Sequence, residues 1–569
     1  GTMRVMPIAQ VIKETLKHVF EVLNISISRD VPLEHPTDLQ NGDYSSGVAL
    51  RYAKQIGTAP RALAEEIANL LRSSTSLGPT AIQRIEVAGA GFINFYLASI
   101  ALSEVIEKAR SEDSWGGGTA RRDKKIMVEY TDPNPFKEFH IGHLMSNAIG
   151  ESISRLLQFS GAEVKRANWQ GDVGPHVAKA IWGKTQKPEL SWGAAYAYGA
   201  QHYDEHKEGI DAINKKIYEK SDPEINVLYD TGRKESLAHF EDLYKILGTT
   251  FDHYFFEGTE GLEGTAIVRD FLQKGVFEES DGAVVFKGET YGLHTRVFLT
   301  ARGLPTYEAK ELGLSKAKFE KEPDLDQSII VTANEQSEYF KVVLKAMEII
   351  FPDIAKKTIH ISHGMMRFAD GKMSSRKGNV ITGESLLNEL IEVAKVRATE
   401  SRLPARAAQA GADDPGKLAE QIAVAAIKYQ ILKQGSAKDI VFDRERALSL
   451  EGDSGPYLQY AHARACAVVE KAREQGVAPL ADIDAPPTDL SRLLYRFPEA
   501  VEYAAHELEP HLLTNYLLEF ASTFNRWYAS EQILDGSTHS PHKVALTEAT
   551  RRTLKNGLWL LGIPAPERM

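Results

Sequence analysis

Cysteine is all but missing from this chain: Cys466 is the one thiol among 569 residues. That excludes an intramolecular disulfide framework and any zinc site assembled from several cysteines, so no structural zinc is expected. Long apolar runs are missing too. None approaches the roughly 20 residues that a membrane-spanning helix requires. No charged-then-apolar leader opens the chain, and a cytoplasmic protein without membrane contact is expected. There is no internal repeat. A surplus of positive charge is also lacking, since 67 Lys and Arg face 78 Asp and Glu for a net charge of −11. This does not exclude a nucleic-acid partner, because counterion release depends on cations placed at phosphates and not on the total. It does imply patchy contacts, with Arg121-Arg122, Lys124-Lys125, Lys310 and the loop at Lys372 as candidates.

What is present is an ordinary globular composition, 43% hydrophobic and 25% charged. A chain of this length exceeds a single core, so roughly two to four domains are expected. Ile8, Ile12, Leu16, Val19 and Leu23 keep helical period, and Pro60 opens a second helix to about Leu71. Phe92 to Leu97 alternates like a half-buried strand, and Ser111 to Gly118 reads as a linker. These pieces give an N-terminal domain over residues 1–110 of small α+β type. A central domain over 120–385 follows, interrupted at about 185–265 by a charged, tyrosine-bearing helical insertion. A connector at 386–416 leads to an all-α domain over 417–569, in which Cys466 reads as a small apolar residue on a helix. The fold class is multidomain α/β.

Two short signatures carry the chemistry. Lys125 to Tyr130 is a short apolar run that predicts a buried strand, and Asp132-Pro133-Asn134-Pro135 stops it. A helical pattern runs from His143 through Leu144, Ala148, Ile149, Ile153, Leu156 and Leu157 to a stop at Gly161, and a strand from about Glu163 to Asn168 follows. The strand–loop–helix–strand unit puts His140-Ile141-Gly142-His143 at a helix N-terminus, where unpaired N–H groups and partial positive charge attract phosphate. His140 and His143 share one side of the first turn, and Gly142 leaves room for close approach to the backbone. The second signature, Lys372-Met373-Ser374-Ser375-Arg376, follows a strand at Thr358–Ile361 and a turn at Asp370-Gly371. Its cations and hydroxyls suit a triphosphate. Alone, each signature is weak. In this order and context they read as one ATP site.

At this point the chain resembles the class I aminoacyl-tRNA synthetases, and among them the arginyl-tRNA synthetases. The resemblance rests on Asn41 to Ser45 and Gly89 to Phe95, on Val128 to Asn134 with Lys137 and the His140 signature, and on Gly171 to Gly174. Gly455 to Arg464 and Pro566 to Met569 complete it. It implies a Rossmann-like parallel-sheet catalytic domain, an N-terminal domain that contacts the tRNA D-loop, and a helical anticodon-binding domain. The implied reaction is ATP-dependent ligation of L-arginine to tRNA(Arg), with ATP entering with Mg2+, through an arginyl-adenylate formed in a tRNA-dependent step. A monomer is expected.

The resemblance further assigns His140, His143, Lys137, Lys372 and Arg376 to catalysis, and Gly142, Met373, Ser374 and Ser375 with the two histidines to ATP. It assigns arginine to Glu129, Asn134, Tyr307, Glu311 and Gln336. Tyr307 and Glu311, four apart, share a helix face. The chain departs from the family's pattern twice: Glu311 stands where Asp is usual, and Ser375 where the class carries a second lysine, which makes Lys137 or Arg376 the substitute. For tRNA, Tyr457, Tyr460, Arg464, Trp527 and Met569 match anticodon-domain positions, and Phe92 and Asn94 a D-loop base. Tyrosines at helical spacing are also what a helix core looks like. Two rivals stay open: another nucleotidyltransferase with a histidine-rich first turn, and a tRNA-binding relative without activity.

Overall fold

A computed structural model describes residues 8–27, 30–74, 81–371, 381–400 and 415–569. They form two compact units that cut across the sequence-based division. One comprises Gly1–Gly116, Ala461–Pro498 and Glu519–Leu554; the other comprises Gly117–Tyr460, Glu499–Leu518 and Lys555–Met569.

In the smaller unit the helix Ile8–Val22 buries Ile12, Leu16, Val19 and Phe20, the stripe its period dictates. It packs with helices Val48–Ile56 and Pro60–Ser73 against an antiparallel sheet of β1 (Tyr44–Ser46), β2 (Ile82–Ala88) and β3 (Phe92–Leu97), ordered β1-β3-β2. Tyr495, some 400 residues later, belongs to the same core. Nearby, Arg492 donates to Asp43 at 2.8 Å and to the Leu39 carbonyl at 2.6 Å. These contacts are why the late segment groups with the first domain.

The larger unit lays down β4 (Lys125–Glu129), β5 (Glu163–Gln170) and β6 (His253–Phe256). A small antiparallel set follows, β7 (Glu278–Ser280), β8 (Ala283–Phe286) and β9 (Arg296–Leu299), then β10 (Gln327–Ala333) and β11 (Thr358–His363). Five strands form one parallel sheet in the order β11-β10-β4-β5-β6. A parallel pair needs a crossover, and the helix Ile141–Phe159 supplies it between β4 and β5. From β4 the chain builds outward to β5 and β6 on one side, and later to β10 and β11 on the other. Such a reversal opens a crevice at the strands' carboxyl ends, where ligands sit in open α/β sheets. β6 falls within the stretch read as an insertion, yet pairs with β5 from Ala167↔His253 to Gln170↔Phe256. The helical part of that stretch is Trp192–Gln201, Tyr203–Glu219 and Pro223–Leu247. A further parallel pair joins β12 (Met366–Phe368) to β13 (Ile440–Phe442).

Two contacts set where the site's elements lie. Ser146 on the crossover helix donates to the Val331 carbonyl of β10 at 3.0 Å and accepts from the Thr131 N–H at 2.9 Å, bridging the crevice. Helices Glu257–Gln273 and Tyr307–Lys321 approach backbone to backbone. A Cβ at Gly264 would lie 2.0 Å from the Ala309 carbonyl oxygen, and one at Gly313 would lie 2.1 Å from that of Glu260. Behind the crossover helix, Ser152 donates to the Leu560 carbonyl at 2.9 Å and Arg155 to the Trp559 carbonyl at 2.8 Å. Lys428, fully buried, donates to the Leu247 and Gly562 carbonyls at 2.6 and 2.9 Å.

Gly264→Ala gains about 1 kcal/mol of helix propensity but drives a methyl into a carbonyl. Overpacking of this kind costs about 1–3 kcal/mol, and the separation here is shorter than any such contact. The variant is therefore expected to unfold at lower urea concentration than wild type. A midpoint at or above the wild-type value overturns the backbone-contact account.

Candidate active site

The site begins where β4 ends. Thr131, Asp132 and Phe136 all have left-handed backbone, with φ of 79°, 50° and 70°. For side chains other than glycine this is strained, at about 1–3 kcal/mol each. Hydrogen bonds compel it. The Thr131 hydroxyl accepts from Asn147 at 3.0 Å, Asp132 accepts from the Trp169 N–H at 2.8 Å, and the Ser236 hydroxyl accepts from the Phe136 N–H at 3.0 Å. Asn134, expected to bind arginine, commits its side-chain oxygen to the Gly171 N–H at 2.9 Å. Its NH2 group is a pair of donors on the same side chain. Gly171 has no alternative: a Cβ there would lie 2.7 Å from the Asn134 oxygen and 3.1 Å from the Glu257 carboxylate. Asp172 next to it accepts from the Gly258 N–H at 2.9 Å and from Arg233 at 3.0 Å, tying two helices to this loop.

His140 caps the crossover helix, which starts at Ile141. The His140 N–H donates to Nδ1 of His143 at 3.2 Å. A backbone N–H only donates, so Nδ1 is the acceptor and a neutral His143 carries its proton on Nε2. The two rings stack with centroids 3.5 Å apart. His140 keeps an open edge, but loss of water from its packed face, followed by the charge of Lys137, pushes its imidazole down to about 4. Burial, then His140, Lys137 and His363, holds His143 well below the usual histidine range. Two neutral N–H donors therefore sit at a helix N-terminus. Gly142 also proves to be space for the cap: a Cβ there would lie 3.2 Å from the His140 ring. Lys137, half-buried, lies 5.1 Å over the Tyr196 ring, and burial lowers its ammonium from the usual lysine range. Lys372, Met373, Ser374, Ser375 and Arg376 lie outside the described residues.

The acidic residues expected around arginine fall into one buried cluster. Glu129, the last residue of β4, forms an ion pair with Lys318, and both side chains are buried. Glu311 is 3% exposed, and its Oε1 has no hydrogen-bond partner. Burial, then the Glu129 charge, pushes Glu311 up to about 8, while Lys318 pulls the other way. Asp132 is raised well above the usual carboxylate range, again by burial first and Glu129 second. Tyr307 stands at the start of the same helix, 63% exposed, with its carbonyl accepting from the Tyr339 hydroxyl at 3.0 Å. Gln336 is exposed in the single turn after β10. Sequence reasoning missed Lys318, Asp132, Asp172 and Glu257. Lys318 carried a signal: seven residues after Glu311, it lies two turns along one helix face.

Several expected nucleic-acid patches are already neutralised, which corrects their reading. Lys310 is buried against Glu257 at 2.7 Å. Lys125 meets Glu322 and Asp324 at 3.0 and 2.9 Å, Lys124 meets Asp326 at 2.9 Å, and Arg121 meets Glu502 at 3.0 Å. On β3, Phe92 is 38% exposed, whereas Asn94 is buried and accepts from the Ser45 hydroxyl at 2.8 Å. Tyr457, Tyr460 and Met569 are half-buried in the larger unit. In the smaller unit Arg464 donates to Asn525 and lies 4.8 Å over the Tyr528 ring, while Trp527 packs near Ala472, Ile533 and Val544. Among the described residues no group of three or more His, Cys, Asp or Glu is placed to hold a metal ion, and no helix is long and apolar enough to cross a membrane.

The cap geometry is testable directly. In nitrogen-15 histidine spectra, His143 should show an unprotonated Nδ1, and His140 should stay neutral to near pH 4. Midpoints between pH 6 and 7 for both would overturn the stacked neutral pair.

Three regions match described families: residues 105–444 match "tRNA synthetases class I (R), catalytic domain", 458–569 match "DALR anticodon binding domain", and 6–97 match "Arginyl tRNA synthetase N terminal domain". The arginine–tRNA ligase of Clostridioides difficile is 31% identical over 558 residues, covering 94% of this chain and 95% of that protein. That of Clostridium perfringens is 30% identical over 557 residues, covering 94% and 96%. In fold, the chain is similar to Thermus thermophilus arginyl-tRNA synthetase, with a TM-score of 0.80 at 24% identity over 98% of this chain and 100% of that one. With the catalytic-domain match spanning more than half of its length, the chain belongs to the class I arginyl-tRNA synthetase family.

Proposed function

We propose that this enzyme ligates L-arginine to tRNA(Arg) using ATP, and that arginine's cation is met by the buried carboxylates at the end of β4. The observation that carries the site assignment is the adjacency of two features along one loop. A buried acidic cluster holds Glu129 and Glu311, and eleven residues after Glu129 the helix N-terminus carries His140 and His143. A planar guanidinium with five donors is best matched by carboxylates. A helix N-terminus with neutral N–H donors suits phosphate oxygens whose charge grows during adenylate formation.

In the first step arginine's carboxylate attacks the α-phosphorus of ATP, whose Mg2+ arrives with the nucleotide as substrate. The bond to pyrophosphate breaks as arginyl-adenylate forms. In the second step a hydroxyl of the tRNA's terminal ribose takes the arginyl group and AMP leaves. No covalent enzyme intermediate is needed; the chain supplies position and charge. Nε2–H of His143 and the His140 ring donate to phosphate oxygens, with Gly142 keeping the cap compact. Lys137 adds a cation beside them, in the role that a second lysine would fill at Ser375, and Lys372, Met373, Ser374 and Arg376 complete the triphosphate contacts. Asn134 and Glu129 hold arginine from the β4 side, and Tyr307, Glu311 and Gln336 from the other. For tRNA we assign Phe92 to a D-loop base, and Tyr457, Tyr460, Arg464, Trp527 and Met569 to the anticodon side. Asn94 supports Phe92's strand from inside. The first step is taken to require bound tRNA, and the enzyme to act in the cytoplasm as a monomer.

The primary test is ATP–pyrophosphate exchange with and without tRNA. Exchange is expected with arginine plus tRNA, and lysine should be disfavoured by about 10⁴-fold, because it leaves buried carboxylates unpaired. Silence in every condition, with tRNA still bound, would favour a non-catalytic relative. Lys137→Ala should lower the exchange rate at least tenfold; a change under threefold would refute its role. The pH dependence has a definite sign. Glu311, raised to about 8, is protonated in the free enzyme below that pH, and arginine must displace the proton. The arginine KM should therefore fall by up to about tenfold per pH unit between roughly pH 6 and 8 and level off above. A KM flat across this range would rule out Glu311 as the guanidinium's partner.

A further inference from the structure

The buried acidic cluster contains a cation of its own. Lys318 is 1% exposed on the helix Tyr307–Lys321 and forms an ion pair with Oε2 of Glu129. Glu311, on the same helix face two turns earlier, keeps Oε1 without a hydrogen-bond partner. A lysine buried this deeply is costly unless its charge is matched, and so is a carboxylate. The groups that bear on Glu311 come from every surrounding element: Glu129 from β4, Lys318 from its own helix, Glu257 from the helix Glu257–Gln273 and Tyr339 from the helix Ser337–Ile350. Asp132, in the loop after β4, responds to Glu129, Lys318 and Glu311 as well. Of the four carboxylates in this set, Glu257 has its own partner in Lys310, which leaves Glu129, Glu311 and Asp132 around Lys318.

We infer that Lys318 is a positioning residue for arginine: it holds Glu129 by Oε2, so that the substrate guanidinium, on displacing the proton of Glu311, meets a carboxylate pair already fixed on one side. Two carboxylates crowded together without a cation share a proton and titrate as a unit. Removing Lys318 therefore weakens arginine without touching the phosphate side of the site. The inference rests on the arginine reading above, and it goes further by assigning a residue that binds neither substrate to the choice of substrate. Lys318 lies seven positions beyond Glu311, clear of both signature motifs.

The test uses the full chain with tRNA and measures exchange for wild type, Lys318→Met, Lys318→Gln and Lys318→Arg, with separate KM values for arginine and ATP at pH 7 and pH 9. Both neutral variants should raise the arginine KM at pH 7 at least tenfold and leave the ATP KM within twofold. Their deficit should shrink at least threefold at pH 9, where the shared proton is lost. Lys318→Arg, which keeps the charge, should stay within threefold of wild type. An arginine KM within threefold of wild type in the neutral variants overturns the role. Equal rises in both KM values, or a deficit unchanged by pH, also overturn it, because general loosening of the fold would do the same. If Lys318→Met fails to fold by thermal melting, Lys318→Gln, a polar side chain one atom shorter and uncharged, decides the question by the same outcomes. Wild-type protein without arginine-dependent exchange sinks the functional reading and this inference together; active wild type with unaffected variants sinks this inference alone.

Discussion

A six-residue stretch after β4 has to hold three left-handed conformations at Thr131, Asp132 and Phe136, none of them glycine. The site depends on the hydrogen bonds that compel them. The bonds come from three separate elements: Ser146 and Asn147 from the crossover helix, Trp169 and Gly171 from β5 and its loop, and Ser236 from the helix Pro223–Leu247. Strain of this size persists only where surrounding structure over-determines it. The same stretch carries Asn134 and leads through Lys137 to His140, so the ligand-facing groups inherit their places from that network. Rigid support of this kind is what positioning catalysis requires, because small displacements of reacting groups cost rate steeply.

Electrostatics divides the site into two halves with opposite demands. At the helix N-terminus, the imidazoles are kept neutral by burial and by Lys137. They therefore donate hydrogen bonds without first repelling each other across a 3.5 Å stack. At the end of β4, Glu311 and Asp132 are crowded until their protons are held too tightly, with Lys318 as partial relief. Each half is electrostatically unfavourable alone, and under the function proposed above each would be relieved by a ligand group of the complementary sign. The overall charge of −11 says little at this scale, because the local field is set by individual neighbours such as the carboxylates that meet Lys124 and Lys125.

Much of this was legible in the chain. Period and breakers located the first helix, β3, β4, β5 and β11 to within a few residues, because each is a short run bounded by Pro, Gly or Asp. The His140 cap followed from local spacing alone. Less visible were features that depend on distant partners. β6 is four residues inside a charged stretch and exists because β5 offers it an edge. Tyr495 joins the first core through a fold that no local pattern announces. Gly142 reads in sequence as an opening for ligand, whereas part of its purpose is room for His140. Asn94 and Phe92 share a strand face, yet Ser45 covers only one of them. Lys310 reads as a surface cation until Glu257 is seen beside it. Burial is a property of neighbours, and sequence shows neighbours only along the chain.

The crossover helix has one further consequence. Its back is fastened to carbonyls of Trp559 and Leu560, about 400 residues downstream, by Arg155 and Ser152. During synthesis those partners emerge from the ribosome long after the histidines do. Contacts of such sequence separation form late and slow folding. A nascent chain can hold β4, the strained loop and both histidines and still have an unsealed helix behind them. Completion of the helix's support is thereby tied to synthesis of a segment about 400 residues downstream, and a chain released before that segment would carry the right motif on an unfinished support.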